Sequence, residues 1–138
     1  RNDRRFVSIV MGVKSSRLRS KLTRMLLDEG FQKYKQVSLD VQLGMSPLSI
    51  EVDKGMESSL RLKTAHPLRV ILKENERMKI SHHFFLKDRT IAPVEEGQKL
   101  GDLEYRLGSV SLGKVPLIAE FGVEKAGFFA NFANTLFN

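Results

Sequence analysis

Between Val37 and Ala119 apolar and polar residues alternate, the period of a strand covered on one face. Val37-Ser38-Leu39-Asp40-Val41-Gln42-Leu43 and Leu48-Ser49-Ile50-Glu51-Val52 show it most cleanly, and Asp53-Lys54-Gly55 marks a turn after the second run. Leu60 and Leu62, then Leu68, Val70 and Leu72, continue the pattern. Glu74-Asn75-Glu76 turns the chain into a further strand over residues 78–86. Residues 91–94 read as short and extended, residues 99–107 as a strand, and residues 115–119 as the last of the series. Many short strands at this spacing predict a mainly β fold, a small antiparallel β-sandwich or barrel.

The two ends follow other periods. Residues 5–13 form a nearly continuous β-branched and apolar run, which predicts a strand buried on both faces. Ser15 or Ser16 then offers an N-cap, and Leu18, Leu22, Met25 and Leu26 share one helical face. Arg17, Lys21 and Arg24 lie on another face as a candidate basic surface, and Gly30 predicts the helix stop. Neither element is a domain, because the strand needs a sheet and the helix needs something to cover. At the far end Phe128, Phe129, Phe132, Leu136 and Phe137 recur on one face of a short amphipathic helix. At ~1.5 Å per residue, residues 128–138 would span roughly 16 Å, too short to cross a bilayer but able to lie in its interface or against a protein. Three regions follow: residues 1–33, 34–120 and 121–138.

Composition narrows the chemistry. The 138 residues are 41% hydrophobic and 28% charged, enough for a real core in one domain or one small domain with appendages. With no cysteine, disulfides, thiolate zinc sites and thiol nucleophiles are excluded. The formal charge is +7, and residues 1–35, with ten Lys/Arg against three Asp/Glu, hold all of the excess. Such a segment suits an anionic surface, nucleic acid or plain solvation. Nucleic acid is disfavoured, because the basic helix carries no aromatic residue among its charges. No apolar run is long enough to span a membrane, no secretory signal is visible, and the opening Arg1-Asn2-Asp3-Arg4-Arg5 reads as a start inside a domain. His82 and His83 on one strand point to opposite faces and cannot chelate together, so neither metal nor cofactor is expected. Residues 76–80, with Lys79, and the later Ala92-Pro93 resemble biotinyl or lipoyl carrier domains at wider spacing, which keeps a stand-alone binding module as the alternative.

Three segments in order resemble the low-molecular-mass penicillin-binding proteins, the D-alanyl-D-alanine carboxypeptidases. From Arg4 to Phe31, an Arg, a β-run ending in Met-Gly and a helix ending Leu-Leu-x-x-Gly-Phe look like the last strand and helix of the transpeptidase domain. The run from Thr90 to Gly101, with Ala92-Pro93 and Gly97, is similar to a hairpin of the family's C-terminal β-domain. Val115-Pro116-Leu117-Ile118-Ala119 followed by Gly127-Phe128-Phe129 looks like its final strand and the start of its membrane-associating helix. The resemblance implies residues 1–33 as the end of an α/β catalytic domain whose missing N-terminal part is the partner of strand 5–13. It further implies a membrane surface for the tail, peptidoglycan as the parent substrate, and an extracytoplasmic location, peripheral to the membrane.

The family's acyl-enzyme chemistry needs Ser-x-x-Lys, Ser-x-Asn and Lys-Thr-Gly. Here Ser111-Leu112-Gly113-Lys114 falls in a β context and Lys63-Thr64-Ala65 ends in Ala. No Ser-x-Asn occurs, so no catalytic residue is expected in this chain.

Overall fold

The computed structural model describes residues 1, 3–40 and 48–127. They comprise a helix α1 (Ser16–Lys33), then β1 (Tyr34–Leu39), β2 (Ser49–Asp53), β3 (Ser59–Thr64) and β4 (Leu68–Lys73). A 3-10 helix (Glu74–Lys79) follows, then β5 (Ile80–Leu86), β6 (Arg89–Ile91), β7 (Lys99–Leu107) and β8 (Val110–Ala119). Two compact units result. One combines Arg1–Ser38 with Arg69–Ile80, and the other combines Leu39–Leu68 with the chain from Ser81 onward.

The second unit is an open six-stranded sheet of order β5-β7-β8-β3-β2-β6, the small β-domain expected from the alternation. β2–β3, β3–β8 and β7–β8 pair antiparallel, while β6 lies parallel to β2. Alternate positions supply the core: Ile50 and Val52, Leu60 and Leu62, Leu103 and Tyr105, and Val115, Leu117 and Ala119 are all buried. Full enclosure of side chains such as Leu60, Leu103 and Leu117 contributes about 1.5–3 kcal/mol each. Where β7 meets β5, Gly101 allows an approach no other residue permits: a Cβ there would lie 2.6 Å from the Phe85 carbonyl oxygen and 2.8 Å from Leu86 Cβ. The register of β7 on β8 shifts at this glycine.

The first unit is thinly packed. Ser15 caps α1, its hydroxyl accepting from the Leu18 N–H at 3.1 Å. The helix does not stop at Gly30, as the pattern predicts, but continues to Lys33. The glycine has a different role: the Phe6 ring lies against it, 3.4 Å from where a Cβ would sit. Closure comes from the Tyr34 N–H bonding the Gly30 carbonyl, and from Arg4, which donates to the carbonyls of Phe31 and Tyr34. β1 and β4 make a separate two-stranded sheet.

Residues 5–13 differ from expectation as well. They run without a strand partner among the described residues. Phe6, Ser8 and Val10 are half-buried, whereas Val7, Ile9 and Met11 are 80%, 77% and 83% exposed. Apolar β-branched residues favour an extended backbone, but a ladder also needs a paired edge, and the segment joins neither strand of the β1–β4 sheet.

Candidate functional site

Four places in the described chain hold side chains that bear on function. The first is the surface of residues 4–33. The Phe6 ring meets Phe31 edge-on at 4.8 Å, and the Arg4 guanidinium lies 5.4 Å from the Phe31 ring centroid. This fixes the extended segment to the end of α1. The helix buries no residue of its own, and Leu18, Met25 and Leu26 are each about half exposed. Arg17, Lys21 and Arg24 are all exposed. Arg24, with Arg19, borders a cavity of about 450 Å³ that Arg17 and Lys21 do not reach. In the last turn Lys33 bonds Glu29, which holds the Glu29 carboxyl below its usual range and raises Lys33.

The second is the Ala92-Pro93 hairpin. Ala92 and Val94 are buried, and the Ala92–Pro93 peptide is cis. The Gln98 N–H bonds the Glu95 carbonyl at 3.1 Å and the Gln98 side-chain oxygen accepts from the Glu95 N–H, a closed turn with Gly97 at φ 80°. Val94 and Val123 exchange two backbone bonds, and Gly55 bridges Lys125, so residues 123–126 are bound to this hairpin and to the turn after β2. Phe128, Phe129, Phe132, Leu136 and Phe137, the candidate anchor, lie outside the described residues.

The third is a cross-strand charge cluster that sequence reasoning missed. Glu104 on β7 is only 5% exposed, yet charged. Ser111 hydrogen-bonds its carboxylate, Arg106 Nε pairs with it at 3.0 Å, and Lys114 stands opposite it on β8. The Ser111 bond, aided by Arg106, Lys114 and His83, outweighs burial and holds the Glu104 carboxyl below its usual 4.5. Lys114 Nζ also sits 4.8 Å from the Phe85 ring centroid. The two members of the formal Ser-x-x-Lys are thereby tied to a carboxylate and a ring, not to each other. Thr64 of Lys63-Thr64-Ala65 donates to Asp40 at 3.1 Å. His82 and His83 separate as their strand dictates: His82 meets the Tyr105 ring at 5.3 Å, while His83 Nε2 lies 3.1 Å from the Ser81 hydroxyl. Lys79 ends the 3-10 helix between strands of different sheets, not at the tip of a hairpin. No group of three His, Asp or Glu among the described residues is placed to hold a metal.

The fourth is a cleft between β2 and β5 of about 750 Å³, bordered by Leu48, Ile50, Glu51, Phe84, Leu86 and Asp88 among others.

The described residues thus form a six-stranded sheet carrying an Ala-Pro hairpin, and the Ser-x-x-Lys and Lys-Thr look-alikes within it are engaged in other contacts. The profile of the family "Penicillin-binding protein 5, C-terminal domain" matches residues 31–125, and the chain belongs to that family. It is 26% identical over 133 residues to the D-alanyl-D-alanine carboxypeptidase DacF of Bacillus subtilis (strain 168), covering 96% of this chain and 34% of that protein. To the D-alanyl-D-alanine carboxypeptidase DacC of Escherichia coli (strain K12) it is 27% identical over 128 residues, 92% of this chain and 32% of that one. The chain thus spans about a third of the length of the curated relatives it matches. Among solved structures, penicillin binding protein 5 from Haemophilus influenzae shares the fold with a TM-score of 0.61 at 21% identity, over 84% of this chain and 34% of that one. The D-alanyl-D-alanine carboxypeptidase DacD from Francisella tularensis does so with a TM-score of 0.55 at 21% identity, over 83% and 29%.

Proposed function

We propose that this chain is the accessory C-terminal portion of a serine-type D-Ala-D-Ala carboxypeptidase that trims peptidoglycan stem peptides outside the cytoplasmic membrane. Its β-domain holds the catalytic portion at the membrane or docks it to partners. The observation that carries the reading is the extended segment before α1. Val7, Ile9 and Met11 face solvent in a row, and Leu18, Met25 and Leu26 on α1 are uncovered as well. Apolar surface in this arrangement is stable only against a further sheet edge and a further packing layer. A catalytic portion, in the same polypeptide or associated with it, supplies both. The family match and the two carboxypeptidase relatives support the same assignment.

The test uses membranes of the source organism labelled with a fluorescent penicillin and probed with an antibody against this chain. A fluorescent band several times larger than 15.7 kDa is expected; a dark band at 15.7 kDa removes the enzyme reading. The anchor is tested separately. Phe128→Ser with Phe132→Ser is expected to abolish flotation of the chain with anionic liposomes, because one amphipathic helix is a soft, reversible anchor. Unchanged flotation removes the membrane role.

A further inference from the structure

We infer that the cleft between β2 and β5 accepts an extended peptide strand carrying alternating apolar and basic residues, supplied by a partner protein. Three observations meet there. First, both walls have a free backbone edge among the described residues. β5 ends the sheet with β7 as its single neighbour, and β6 joins β2 only from Glu51 onward, leaving the outward backbone groups of Ser49 without a strand. An unpaired row of N–H and C=O groups is a template for strand addition.

Second, the two ends of the sheet are guarded unequally. β6 is three residues long, its Arg89 is engaged by Glu51 at 2.9 Å and Asp53 at 3.5 Å, and Pro93 follows closely. β5 is seven residues long, contains neither charge nor proline, and exposes the five residues from Ser81 to Phe85. Charges, prolines and short strands are the usual protection of an edge, and β5 has none of them.

Third, the space between the walls has a definite chemistry. The cavity of about 750 Å³ has Phe84, Leu86, Leu48 and Ile50 along it and Glu51 and Asp88 at its rim. The one cation there, Arg89, is already shared between Glu51 and Asp53, so the rim is net acidic. A strand that adds its backbone to β5 and β2, places apolar side chains toward Phe84 and Ile50, and sets Lys or Arg beside Asp88 satisfies all three features. This deepens the docking part of the proposed function and is independent of the membrane anchor.

The experiment uses the full chain and three synthetic seven-residue peptides: Lys-Val-Thr-Val-Lys-Val-Arg, the same peptide with Glu at every basic position, and the basic peptide N-methylated at alternate residues. Amide exchange is followed by mass spectrometry. The expected result is that the basic peptide, at ten times its Kd, slows exchange of the outward-facing amides of residues 81–86 and of Ser49 about tenfold. The acidic and N-methylated peptides leave exchange unchanged, and Asp88→Lys weakens the basic peptide. Equal protection by the acidic peptide, protection by the N-methylated one, no protection at millimolar peptide, or protection in the free chain of the β5 amides that face away from β7 each overturn the inference. None of these results touches the penicillin-labelling experiment, so the two readings fall separately.

Discussion

In the open sheet of the second unit Leu60, Leu103, Val115, Leu117 and Ala119 are fully enclosed, while α1 in the first unit buries nothing. Both regions are rich in aliphatic residues, so composition does not separate them. What separates them is whether the apolar face has a counterpart among the described residues. Strands β3, β8 and β7 alternate and lie side by side in one sheet, and their inward residues are buried together. The stripe on α1 and the residues before it are equally apolar but face water. An amphipathic pattern left uncovered among the described residues is surface that association would bury, so its hydrophobic residues bear on association where those of the sheet bear on stability.

The sharpest way to break that contrast is to truncate a side chain on each side. Leu103→Ala should cost about 2–5 kcal/mol in urea unfolding of the chain, because the space left by a fully buried leucine cannot collapse completely. A loss below 1 kcal/mol would mean that the sheet is not the cooperative core. Next in size, Gly101→Val should cost about 1–3 kcal/mol by forcing β5 away from β7, read as a lowered unfolding midpoint.

A smaller effect concerns charge within the stable half. The Glu104 carboxyl is held below its ordinary value chiefly by Ser111, so its contribution is present above about pH 4.5 and is lost as pH falls through the lowered folded value. Ser111→Ala should therefore lower stability near neutral pH and flatten the acid limb of the pH–stability curve; an unchanged acid limb would remove Glu104 from the explanation. The smallest effect is expected on α1. Leu26→Gln should change unfolding of the chain by less than about 0.5 kcal/mol, since Leu26 is half exposed. The same substitution should weaken association with a separately produced catalytic portion, measured by co-purification. A large stability loss without an association defect would show that α1 packs within its own chain.

Much of the sheet was legible because its signal is local. The alternation in Leu48-Ser49-Ile50-Glu51-Val52 became β2 with Ile50 and Val52 inward, and the pairs Leu60/Leu62 and Leu103/Tyr105 behaved likewise. What could not be read depends on residues far apart along the chain. Gly30 looks like a helix stop until Phe6 is known to lie on it. Glu104 sits at an outward position of an alternating strand, and only β8, bringing Ser111 and Lys114 beside it, makes it buried and low in pKa. The turn signal at Glu74-Asn75-Glu76 was sound, but whether it became a loop or a 3-10 helix rests on the Glu76 carboxylate accepting from the Lys73 N–H at 2.9 Å. The run at 5–13 carried the right backbone preference and no information about which edge it joins. The open cleft beside β5 was invisible for the same reason, since β2 and β5 are brought together only by the sheet.

The Arg4 guanidinium reaches across 27 and 30 positions to the carbonyls of Phe31 and Tyr34. Mechanically, this turns the 18-residue helix from a series element into a closed loop. A pull on β1 passes through the clasp to the segment ahead of α1 without loading the helix, so α1 adds no slack to the line. Stretching or fraying of α1 is therefore not passed on between the segment ahead of it and β1.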